Sequence, residues 1–382
     1  MKKTTIAILG SRGIPNHYGG FEELAEHLSA GLVSLGYDVY VYNVHNHSCP
    51  DKTWKGVHRL FCYDPENIVG PAGQFIYDLN CINDSRKRKF DVIIQLGYTS
   101  NSIWHRRLPS DSKIITNMDG LEWKREKYSR LARRFLKHAE KLAVQHSDAL
   151  IADNIKIQDY LQETYQVASD YIPYGADNGI LSSKNKNHSL TTFCVANKRA
   201  VQLENEGFFL LIARLQPDNH IEEIMQGTLL SKTQLPLIVV GNHKSRYGQK
   251  LVKKYASDKI IFTGGIFQSE TLHQLRNQSR IYFHGHSAGG TNPSLLQAMA
   301  ASALICAHDN PFNRSVLGAD GLYFISSADI ASIIDQEKDK KNRKEMIKNN
   351  FNKIIKQYNW NSIINNYEAL IKKVLSKPQE NS

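Results

Sequence analysis

The residues best suited to chemistry form a glycine-rich stretch at 284–299, which reads HGHSAGGTNPSLLQAM. It follows a short apolar run and opens a helical pattern. Asn292 followed by Pro293 fits the N-cap and first-turn positions of a helix; alternatively, Ser294 with Gln297 fits a capping box. In both cases backbone N–H groups and the positive end of the helix dipole would face a ligand, which suits a diphosphate.

Other polar residues stand where predicted strands end. Arg214 ends the apolar run 208–213, and its guanidinium can clamp a diphosphate there through two parallel hydrogen bonds. His284 and His286 lack a nearby cysteine or carboxylate, so they form a weak metal pattern, and we expect one of them to line a pocket. Asp119 follows another strand, where it can touch a substrate hydroxyl; capping of the next helix is the alternative.

The first predicted strand leads into a second glycine-rich stretch at 10–22. Its glycines would let backbone N–H groups approach a phosphate or a sugar. The pair Gly19 and Gly20 stands right at a helix start. The spacing is not Gly-x-Gly-x-x-Gly, and no acid follows the second strand to hold a ribose, so a dinucleotide oxidoreductase is disfavoured.

Short apolar runs separated by helical patterns occur in two series along the chain. Two such series predict an α/β protein with two parallel, doubly wound, Rossmann-like sheets. Ligands bind at the carboxyl ends of such strands, so a cleft between two facing sheets is the expected site. The predicted strands are 5–9, 38–44, 91–96, 113–118, 148–152, 208–213, 235–240, 259–263, 281–284 and 303–307.

Three further segments organise the chain. Residues 172–175, Ile-Pro-Tyr-Gly, follow the first series and are the predicted hinge. Residues 181–206 are polar and aperiodic, which predicts a loop or a weakly ordered hairpin. Between Trp360 and Val374 apolar residues recur at helical spacing, which predicts an amphipathic C-terminal helix.

Composition narrows the class of protein. With 382 residues, 41% of them hydrophobic and 22% charged, the chain suits two globular domains. No apolar run reaches the roughly 18 residues of a spanning helix, and no signal peptide is recognisable. Five scattered cysteines favour neither a disulfide framework nor a zinc site. We therefore expect a protein of the reducing cytoplasm.

The formal net charge of +11 is unevenly spread. Residues 124–141 hold eight Lys/Arg against two Glu, which suits anionic partners. This basic segment could lie on a membrane surface; a solvated helix face is the alternative. Nucleic-acid binding is disfavoured because aromatic residues are not interleaved with the cations.

In this order, the segments resemble glycosyltransferases of the GT-B fold, specifically glycosyltransferase family 4, over nearly the whole chain. The more specific wording resembles a bacterial rhamnosyltransferase-like subgroup, associated with surface polysaccharides such as capsule and O-antigen. The segments that carry the family resemblance are 19–22, 172–177, 213–217, 262–275 and the helix with Trp360 and Tyr367. Those that carry the subgroup resemblance are 10–22, 119–125 and 289–296.

The resemblance implies two domains facing across a cleft. Residues 1–173 would form the acceptor-side domain, with the helix 356–382 packing back on it, and residues 174–355 would bind the donor. Arg214 and Asp119 would act in catalysis, Arg214 on the donor diphosphate and Asp119 near the transferred sugar. The donor-binding residues it implies are Gly19, Gly20, Arg214, His220, Gly241, Ile266, Phe267, His284, Gly290, Thr291, Asn292, Pro293, Ser294, Leu295 and Gln297.

The chain departs from the family pattern at three positions. The family usually has a lysine five residues after the arginine, where this chain has Asn219; His220 or Lys244 would have to replace that cation. The family also has two glutamates, at the positions of Gly289 and Gln297. A neutral glutamine can still bind ribose hydroxyls, although more weakly than a carboxylate.

The resemblance implies a retaining transferase with no metal and no other cofactor. The donor would be a nucleotide-diphosphate sugar, rhamnose being the subgroup's association. The acceptor would be a saccharide carried on a polyprenyl diphosphate, and the enzyme would work in the cytoplasm, at the inner face of the plasma membrane. Two alternatives stay open: a sugar-nucleotide-binding homologue with little or no transfer, and a GT-B sugar-nucleotide epimerase.

Overall fold

The computed structural model describes residues 3–17, 19–125, 128–177, 193–194, 200–201, 204–336 and 340–376. The chain forms two compact units. The first comprises residues 1–124, 128–174 and 360–382, and the second comprises 125–127 and 175–359. Among the described helices, none combines the length and the apolar character needed to cross a bilayer.

The first unit is built on a mostly parallel sheet in the order β3-β4-β2-β1-β5-β6-β7-β8. Only β3 runs antiparallel to its neighbour, β4. The chain leaves β1 towards β2 on one side and returns to β5 on the other, so the strand order reverses between β1 and β5. The strands are β1 (Thr5–Leu9), β2 (Asp38–Val44), β3 (Thr53–Trp54), β4 (Val57–Cys62), β5 (Val92–Leu96), β6 (Lys113–Asn117), β7 (Ala149–Ala152) and β8 (Asp170–Tyr171).

Helices cover this sheet, and the C-terminal helix packs against the first one. Gly31 makes that contact possible, because a Cβ there would lie 2.4 Å from Cδ1 of Ile364. The returning C-terminal helix is thus confirmed. The helices are α1 (Gly20–Ser34), α2 (Glu66–Val69), α3 (Gly73–Arg88), α4 (Arg130–His146), α5 (Ile155–Tyr165) and α13 (Trp360–Leu375).

The second unit contains a fully parallel sheet in the order β13-β12-β11-β14-β15-β16. Here the order reverses between β11 and β14, the two central strands. Phe209 on β11 and Phe283 on β14 meet edge to face in the core, with ring centroids 6.0 Å apart. The strands of this sheet are β11 (Phe209–Ile212), β12 (Leu237–Val240), β13 (Ile260–Gly264), β14 (Ile281–His284), β15 (Ile305–His308) and β16 (Leu322–Phe324).

Helices alternate with these strands. They are α6 (Ile221–Leu230), α7 (Arg246–Tyr255), α8 (Ser269–Gln278), α9 (Pro293–Ala300), α10 (Pro311–Leu317), α11 (Ser327–Gln336) and α12 (Lys340–Gln357). Before them stands a short antiparallel pair, β9 (Phe193–Cys194) with β10 (Ala200–Val201). This pair lies in the segment 181–206, for which a loop or hairpin is predicted; most of that segment falls outside the described residues.

The predicted α/β class with two doubly wound parallel sheets is confirmed. Each predicted strand is present with its ends shifted by at most a few residues, because buried parallel strands are continuous apolar runs. The sequence interpretation missed β3, β4, β8 and β16. Of these, β4 mixes His58 and Arg59 with apolar residues, and the other three are only two or three residues long.

Candidate functional site

The site of the second unit lies where the strand order of its sheet reverses. The loops that leave the neighbouring strands β11 and β14 meet there, at the carboxyl edge of the sheet. Ligands of doubly wound sheets bind in the crevice outside the carboxyl ends of the strands at this point. Arg214 belongs to the first loop, and Gly289 and Gly290 belong to the second.

Arg214 presents an exposed side chain at this edge. Its guanidinium makes no hydrogen bond or ion pair with the described part of the chain. The backbone beneath it is fixed, because Nδ2 of Asn219 donates to the carbonyl of Arg214 at 2.7 Å. A short 3₁₀ turn, Pro217–Asn219, brings Asn219 into that position. The guanidinium of Arg214 is therefore carried by a loop whose backbone is fixed, and it is available to bind an anion.

The Asn219 side chain also binds the second loop. Its Oδ1 lies 2.7 Å from Nδ1 of His286. Since Nδ2 of Asn219 is already a donor, Oδ1 must accept, and the proton is on Nδ1 of His286. Ser287 adds two bonds, donating through N and Oγ to the carbonyl of Asp218 at 3.2 and 3.0 Å. These contacts lock the two loops to each other.

A buried ion pair lies under the first loop. Nη2 of Arg125 is 2.7 Å from Oδ2 of Asp218, and Nε donates to the same oxygen at 2.8 Å. Both residues are buried. Burial alone would raise the pKa of Asp218, but the adjacent Arg125 guanidinium outweighs it, and the pKa is lowered. Asp218 is therefore ionised, and the guanidinium of Arg125 compensates its charge inside the protein.

His286 is kept neutral by the same surroundings. Burial lowers its pKa to about 4, and the positive charges of Arg125 and Arg214 act in the same direction. His284, the last residue of β14, lies two residues before His286 and is 4% exposed. Burial lowers its pKa well below the usual range. His284 is thus a core residue beneath the loop, and of the two histidines only His286 reaches the loop region.

Helix α9 begins at this loop in the way the first of the two sequence alternatives predicts. Asn292 is the N-cap, and its Oδ1 accepts from N of Ser294 at 2.9 Å, with Pro293 in the first turn. The capping-box alternative is wrong, because Gln297 is engaged elsewhere: Nη2 of Arg276 donates to its Oε1 at 2.9 Å.

The cap changes which backbone groups can serve a ligand. N of Ser294 and N of Leu295 already donate to Asn292, the latter to its carbonyl at 3.0 Å. The expectation that the helix start itself offers free donors is wrong for these two groups. The N–H groups of Gly289 and Gly290 make no hydrogen bond with the described residues. These two glycines, together with Arg214, are the candidate anion-binding groups.

Two features of the α9 start were not apparent in the sequence. Arg276 on α8 is buried, and besides Gln297 its Nη2 lies 3.5 Å from Oγ of Ser294. The Ser294 hydroxyl is also 2.8 Å from the hydroxyl of Tyr282, so it points into the protein. Leu295 and Thr291 are buried as well. Any contact of these residues with a ligand would run through the backbone.

The remaining predicted donor-side residues lie around the same sheet edge. Gly241 follows β12, where a Cβ would meet the carbonyl of Ala213 at 2.3 Å, so its role is close packing of the loops. His220 stacks on His308, with centroids 3.9 Å apart, and its Nδ1 lies 3.5 Å from Glu223.

Beyond β13, the last strand on that side, Ile266 is half-buried and Phe267 is 65% exposed. An exposed phenylalanine at this edge of the sheet can stack on a planar ring such as a nucleotide base. Lys244, the other predicted substitute for the missing lysine, is exposed in the loop after β12.

In the first unit, Asp119 and Glu22, which follows the glycine pair on α1, both act electrostatically on the buried Tyr174. Gly19 has φ 150° and precedes α1, which Gly20 begins. Burial raises the pKa of Tyr174 far above its usual range, and the negative charges of Asp119 and Glu22 add to the shift. The start of α1 follows β1 and Asp119 follows β6, so both lie at the carboxyl edge of the first sheet.

Asp119 sits in a strained turn. Its φ is 48°, and its N–H donates to Oδ1 of Asn117 at 2.9 Å. The next α-helix, α4, is capped by Ser129, so Asp119 does not cap it. Positive φ at a non-glycine residue is uncommon and is tolerated where the surroundings determine it.

Glu140 on α4 anchors the segment that follows Asp119. This carboxylate is 1% exposed and accepts from Nε1 of Trp123 at 2.9 Å, from the hydroxyl of Tyr165 at 2.7 Å and from Nζ of Lys137 at 2.8 Å. The ammonium of Lys137 lies 4.6 Å from the Trp123 ring centroid. Within the described residues, no group of three or more histidine, cysteine or carboxylate side chains is arranged to hold a metal ion.

Comparison with known families decides the class of this protein. The model of the family described as "Glycosyl transferases group 1" matches residues 196–353, which include Arg214, Gly289 and Gly290. The chain is a glycosyltransferase. Residues 3–177 match a domain of unknown function, DUF1972. Among curated proteins, none matches the chain.

Solved structures place this glycosyltransferase in the GT-B fold. Sucrose-phosphate synthase from Thermosynechococcus elongatus superposes with a TM-score of 0.78 at 16% identity, covering 98% of this chain and 100% of that one. Trehalose 6-phosphate synthase from Burkholderia multivorans gives 0.72 at 11% identity, covering 98% and 97%. HepE from Anabaena, in complex with UDP, gives 0.68 at 13% identity, covering 97% and 100%. The predicted GT-B fold and the glycosyltransferase class are confirmed.

Proposed function

We propose that this glycosyltransferase takes its sugar from a nucleotide-diphosphate donor bound at the edge of β11 and β14. The observation that carries the proposal is the exposed guanidinium of Arg214, with the unused N–H groups of Gly289 and Gly290 in the adjoining loop. A diphosphate needs these donors, because its charge is stabilised by fixed N–H groups and by a planar cation. HepE, of similar fold, was solved with UDP and with UDP and glucose.

The proposed reaction retains configuration at the anomeric carbon and uses neither a metal nor another cofactor. The bond from the anomeric carbon to the donor phosphate breaks, a bond to the acceptor oxygen forms, and the acceptor proton passes to the leaving phosphate. Arg214 and the loop N–H groups stabilise the charge that develops on that phosphate. Asp119 in the first unit is the proposed contact of the transferred sugar. The sequence contains no Asp-x-Asp, which is consistent with this proposal.

The finer assignments follow the resemblance to family 4 and its rhamnosyltransferase-like subgroup. We propose rhamnose or a related hexose as the sugar and a polyprenyl-diphosphate-linked saccharide as the acceptor, in the assembly of a surface polysaccharide. An acceptor of that kind resides in a membrane, so the proposed place of action is the cytoplasmic face of the plasma membrane. The basic segment 124–141 supports this location.

One observation favours a second candidate, a homologue that binds the sugar nucleotide without efficient transfer. Oε1 of Gln297 accepts from the buried Arg276, so this neutral side chain is already engaged inside the protein. Turnover separates the two proposals, and a Gln297→Glu variant tests the proposed ribose contact. If the transferase proposal holds, this variant keeps or improves donor affinity, and the wild-type protein turns over.

The experiment has two stages. Thermal-shift measurements with uridine, guanosine, adenosine and thymidine diphosphates and their sugars identify the donor, because a ligand of the folded state raises the melting temperature. Transfer is then measured with that donor and extracted lipid-linked acceptors. Selective stabilisation with turnover supports the transferase, and stabilisation without turnover on any acceptor supports the binding homologue. The absence of any shift would contradict both.

A further inference from the structure

His286 carries a ring nitrogen that no described residue uses. Its Nδ1 donates to Oδ1 of Asn219 at 2.7 Å, and burial lowers the pKa of the ring to about 4, so Nε2 bears a lone pair and acts as an acceptor. In the described part of the chain, no N–H or O–H group donates to Nε2. The backbone of Ala288 favours the protonated ring, as a carbonyl does, and so supplies no donor either.

Gly289 leaves the space beside this nitrogen open. Its φ is 126°, a conformation that favours glycine, and a Cβ at this position would lie 3.4 Å from Nε2 of His286. Any side chain at position 289 would therefore begin next to the ring nitrogen. His286 is half-buried, whereas Nε2 of His284 is enclosed in the core without a partner among the described residues. Of the two histidines, only His286 offers an acceptor that a ligand can reach.

Three asparagines hold His286 in place. Asn219 fixes Nδ1 of the ring, and Nδ2 of Asn310 and Nδ2 of Asn313 donate to the His286 carbonyl at 3.1 and 3.0 Å. Asn310 follows β15 and caps α10, which contains Asn313. The acceptor is thus positioned from the loops on both sides of its own, so little conformational entropy is lost when a ligand binds to it.

We propose that Nε2 of His286 accepts a hydrogen bond from a hydroxyl group of the transferred sugar and thereby helps to determine which donor is used. Phosphate oxygens are themselves acceptors, so Nε2 cannot bind the diphosphate that Arg214 and the loop N–H groups would hold. Its partner must be a hydroxyl group next to the diphosphate. In a sugar nucleotide, the ribose lies on one side of the diphosphate and the transferred sugar on the other.

The strand order favours the transferred sugar over the ribose. Phe267, the exposed ring suited to a base, follows β13, and the strands β12 and β11 lie between β13 and β14. His286 follows β14 and is bound from the loop after β15, on the far side of Arg214. A donor with its base at Phe267 and its diphosphate at Arg214 therefore brings its sugar to the β14 side.

This inference rests on the proposed nucleotide-diphosphate donor and adds a contact for the sugar of that donor. A sugar without a hydroxyl group at the contacted position would leave Nε2 of His286 unpaired. Sites built to bind a hydroxyl group discriminate against analogues that lack it for this reason. His286 is thus a specificity-determining residue, and Asn219 is the residue that orients it.

The test compares nucleoside diphosphates with their sugar nucleotides by isothermal titration of the full-length protein. The probes are UDP with UDP-glucose, GDP with GDP-mannose, ADP with ADP-glucose and dTDP with dTDP-rhamnose, and the pair that binds the wild type is used. In His286→Asn, the amide N–H₂ can still donate to Asn219, but no group stands at the position of Nε2. We expect about three- to tenfold weaker binding of the sugar nucleotide, because one hydrogen bond is lost, and binding of the diphosphate within about twofold of wild type.

A second measurement uses sugar nucleotides in which one sugar hydroxyl group at a time is replaced by fluorine, which cannot donate. The wild-type protein should bind one of these analogues about three- to tenfold more weakly than the parent donor, whereas His286→Asn should bind that analogue and the parent equally. His138→Asn, at an exposed position of α4, is the matched control and should behave as the wild type in both measurements.

The outcomes separate this contact from the proposed function. Equal weakening of diphosphate and sugar nucleotide in His286→Asn would overturn the proposal, because the residue would then act on the loop or on the ribose. Unchanged affinity for the sugar nucleotide would also overturn it, as would a wild-type protein that binds every fluorinated analogue as tightly as the parent. In these cases the proposed donor site stands. If none of the four pairs binds the wild-type protein, the proposed function is contradicted, and this contact with it.

Discussion

Oδ1 of Asn219 accepts a hydrogen bond from Nδ1 of His286 at 2.7 Å, while the same side chain donates to the carbonyl of Arg214. One buried amide thus joins the loop after β11 to the loop after β14. The family resemblance predicts a lysine at this position, so from the sequence Asn219 would be the loss of a cation. In this chain the side chain of Asn219 instead connects, through its hydrogen bonds, the two loops that form the candidate donor site.

Asn219→Ala should lower both stability and donor affinity. The substitution leaves the His286 ring N–H and the Arg214 carbonyl without their partner, which costs about 1–3 kcal/mol for a buried polar group. Thermal unfolding and titration with the identified nucleoside diphosphate measure the two effects. Asn242→Ala, at an exposed turn after β12, is the control and should change neither.

Asn219→Lys should not restore a stronger donor site. A lysine has no acceptor for the His286 proton, and its ammonium would lie among Arg125 and Arg214, whose charges already act on His286. We expect a lower melting temperature and no gain in donor affinity. Tighter donor binding with unchanged stability would show that the position is a cation site in this chain as well.

Arg125→Ala should be among the most destabilising single changes in the second unit. It removes one half of a buried pair and leaves the Asp218 carboxylate uncompensated, which typically costs about 3–5 kcal/mol. Arg125→Ala with Asp218→Ala should recover part of that loss in chemical unfolding. The exposed pair Lys254–Glu222 offers a control, and Lys254→Gln should leave the unfolding curve unchanged. Equal effects of the two single variants would contradict the account of the buried pair.

Stability should fall as the pH drops from 6.5 towards 4. The pKa of His286 is lowered from its ordinary 6.5 to about 4, so in this window the unfolded chain binds a proton that the folded chain excludes. Protons therefore favour unfolding, by up to about 3 kcal/mol for this group. The pKa of His308 is likewise lowered to about 4 by burial and by His220, and it acts in the same direction.

The melting temperature of the His286→Gln variant should consequently depend less on pH across that window, since glutamine can still donate to Asn219 but does not titrate. His138→Gln, at an exposed position of α4, should keep the wild-type slope. The lowered pKa of Asp218 affects only more acidic conditions, because the stability it contributes is lost below its ordinary value of 3.8. An unchanged slope in the His286→Gln variant would contradict this assignment.

Glu140→Gln should loosen the segment that carries Asp119. A neutral amide loses the charge-assisted bond to Lys137 and offers one acceptor where the carboxylate serves several donors, at a cost of about 2–4 kcal/mol. Trp123 donates to this carboxylate, so its fluorescence should change together with the melting temperature. Trp123→Phe removes that signal and is the spectroscopic control. A loss of stability with unaltered fluorescence would show that the loss does not come from the contact between Glu140 and Trp123.

Sequence reasoning located the strands and the loops that carry the site. β11 and β14 were predictable because both are short, mostly apolar runs next to polar residues. Asn292 and Ser294 fitted two different caps, and local sequence could not choose between them. The choice depends on Arg276, 21 residues from Gln297, which occupies the glutamine in the folded chain.

The buried contacts could not be predicted because their partners are distant in sequence. Arg125 and Asp218 are 93 residues apart, and in the sequence Arg125 is one cation of a basic run. Glu140 is equally inconspicuous, since an acid in a basic helix suggests a surface pair rather than a 1% exposed acceptor. Charges whose role is internal carry no local signature that distinguishes them from surface charges.

The most direct test of the central claim is the donor affinity of Arg214→Ala, measured by isothermal titration with the nucleoside diphosphate that stabilises the wild-type protein most. The account predicts a loss of about 1.5–3 kcal/mol, or roughly ten- to 150-fold in Kd, typical of a charge-assisted contact. Lys253→Ala, at an exposed position of α7, should bind as the wild type does. Unchanged affinity in Arg214→Ala would contradict the assignment of the diphosphate to the edge of β11 and β14.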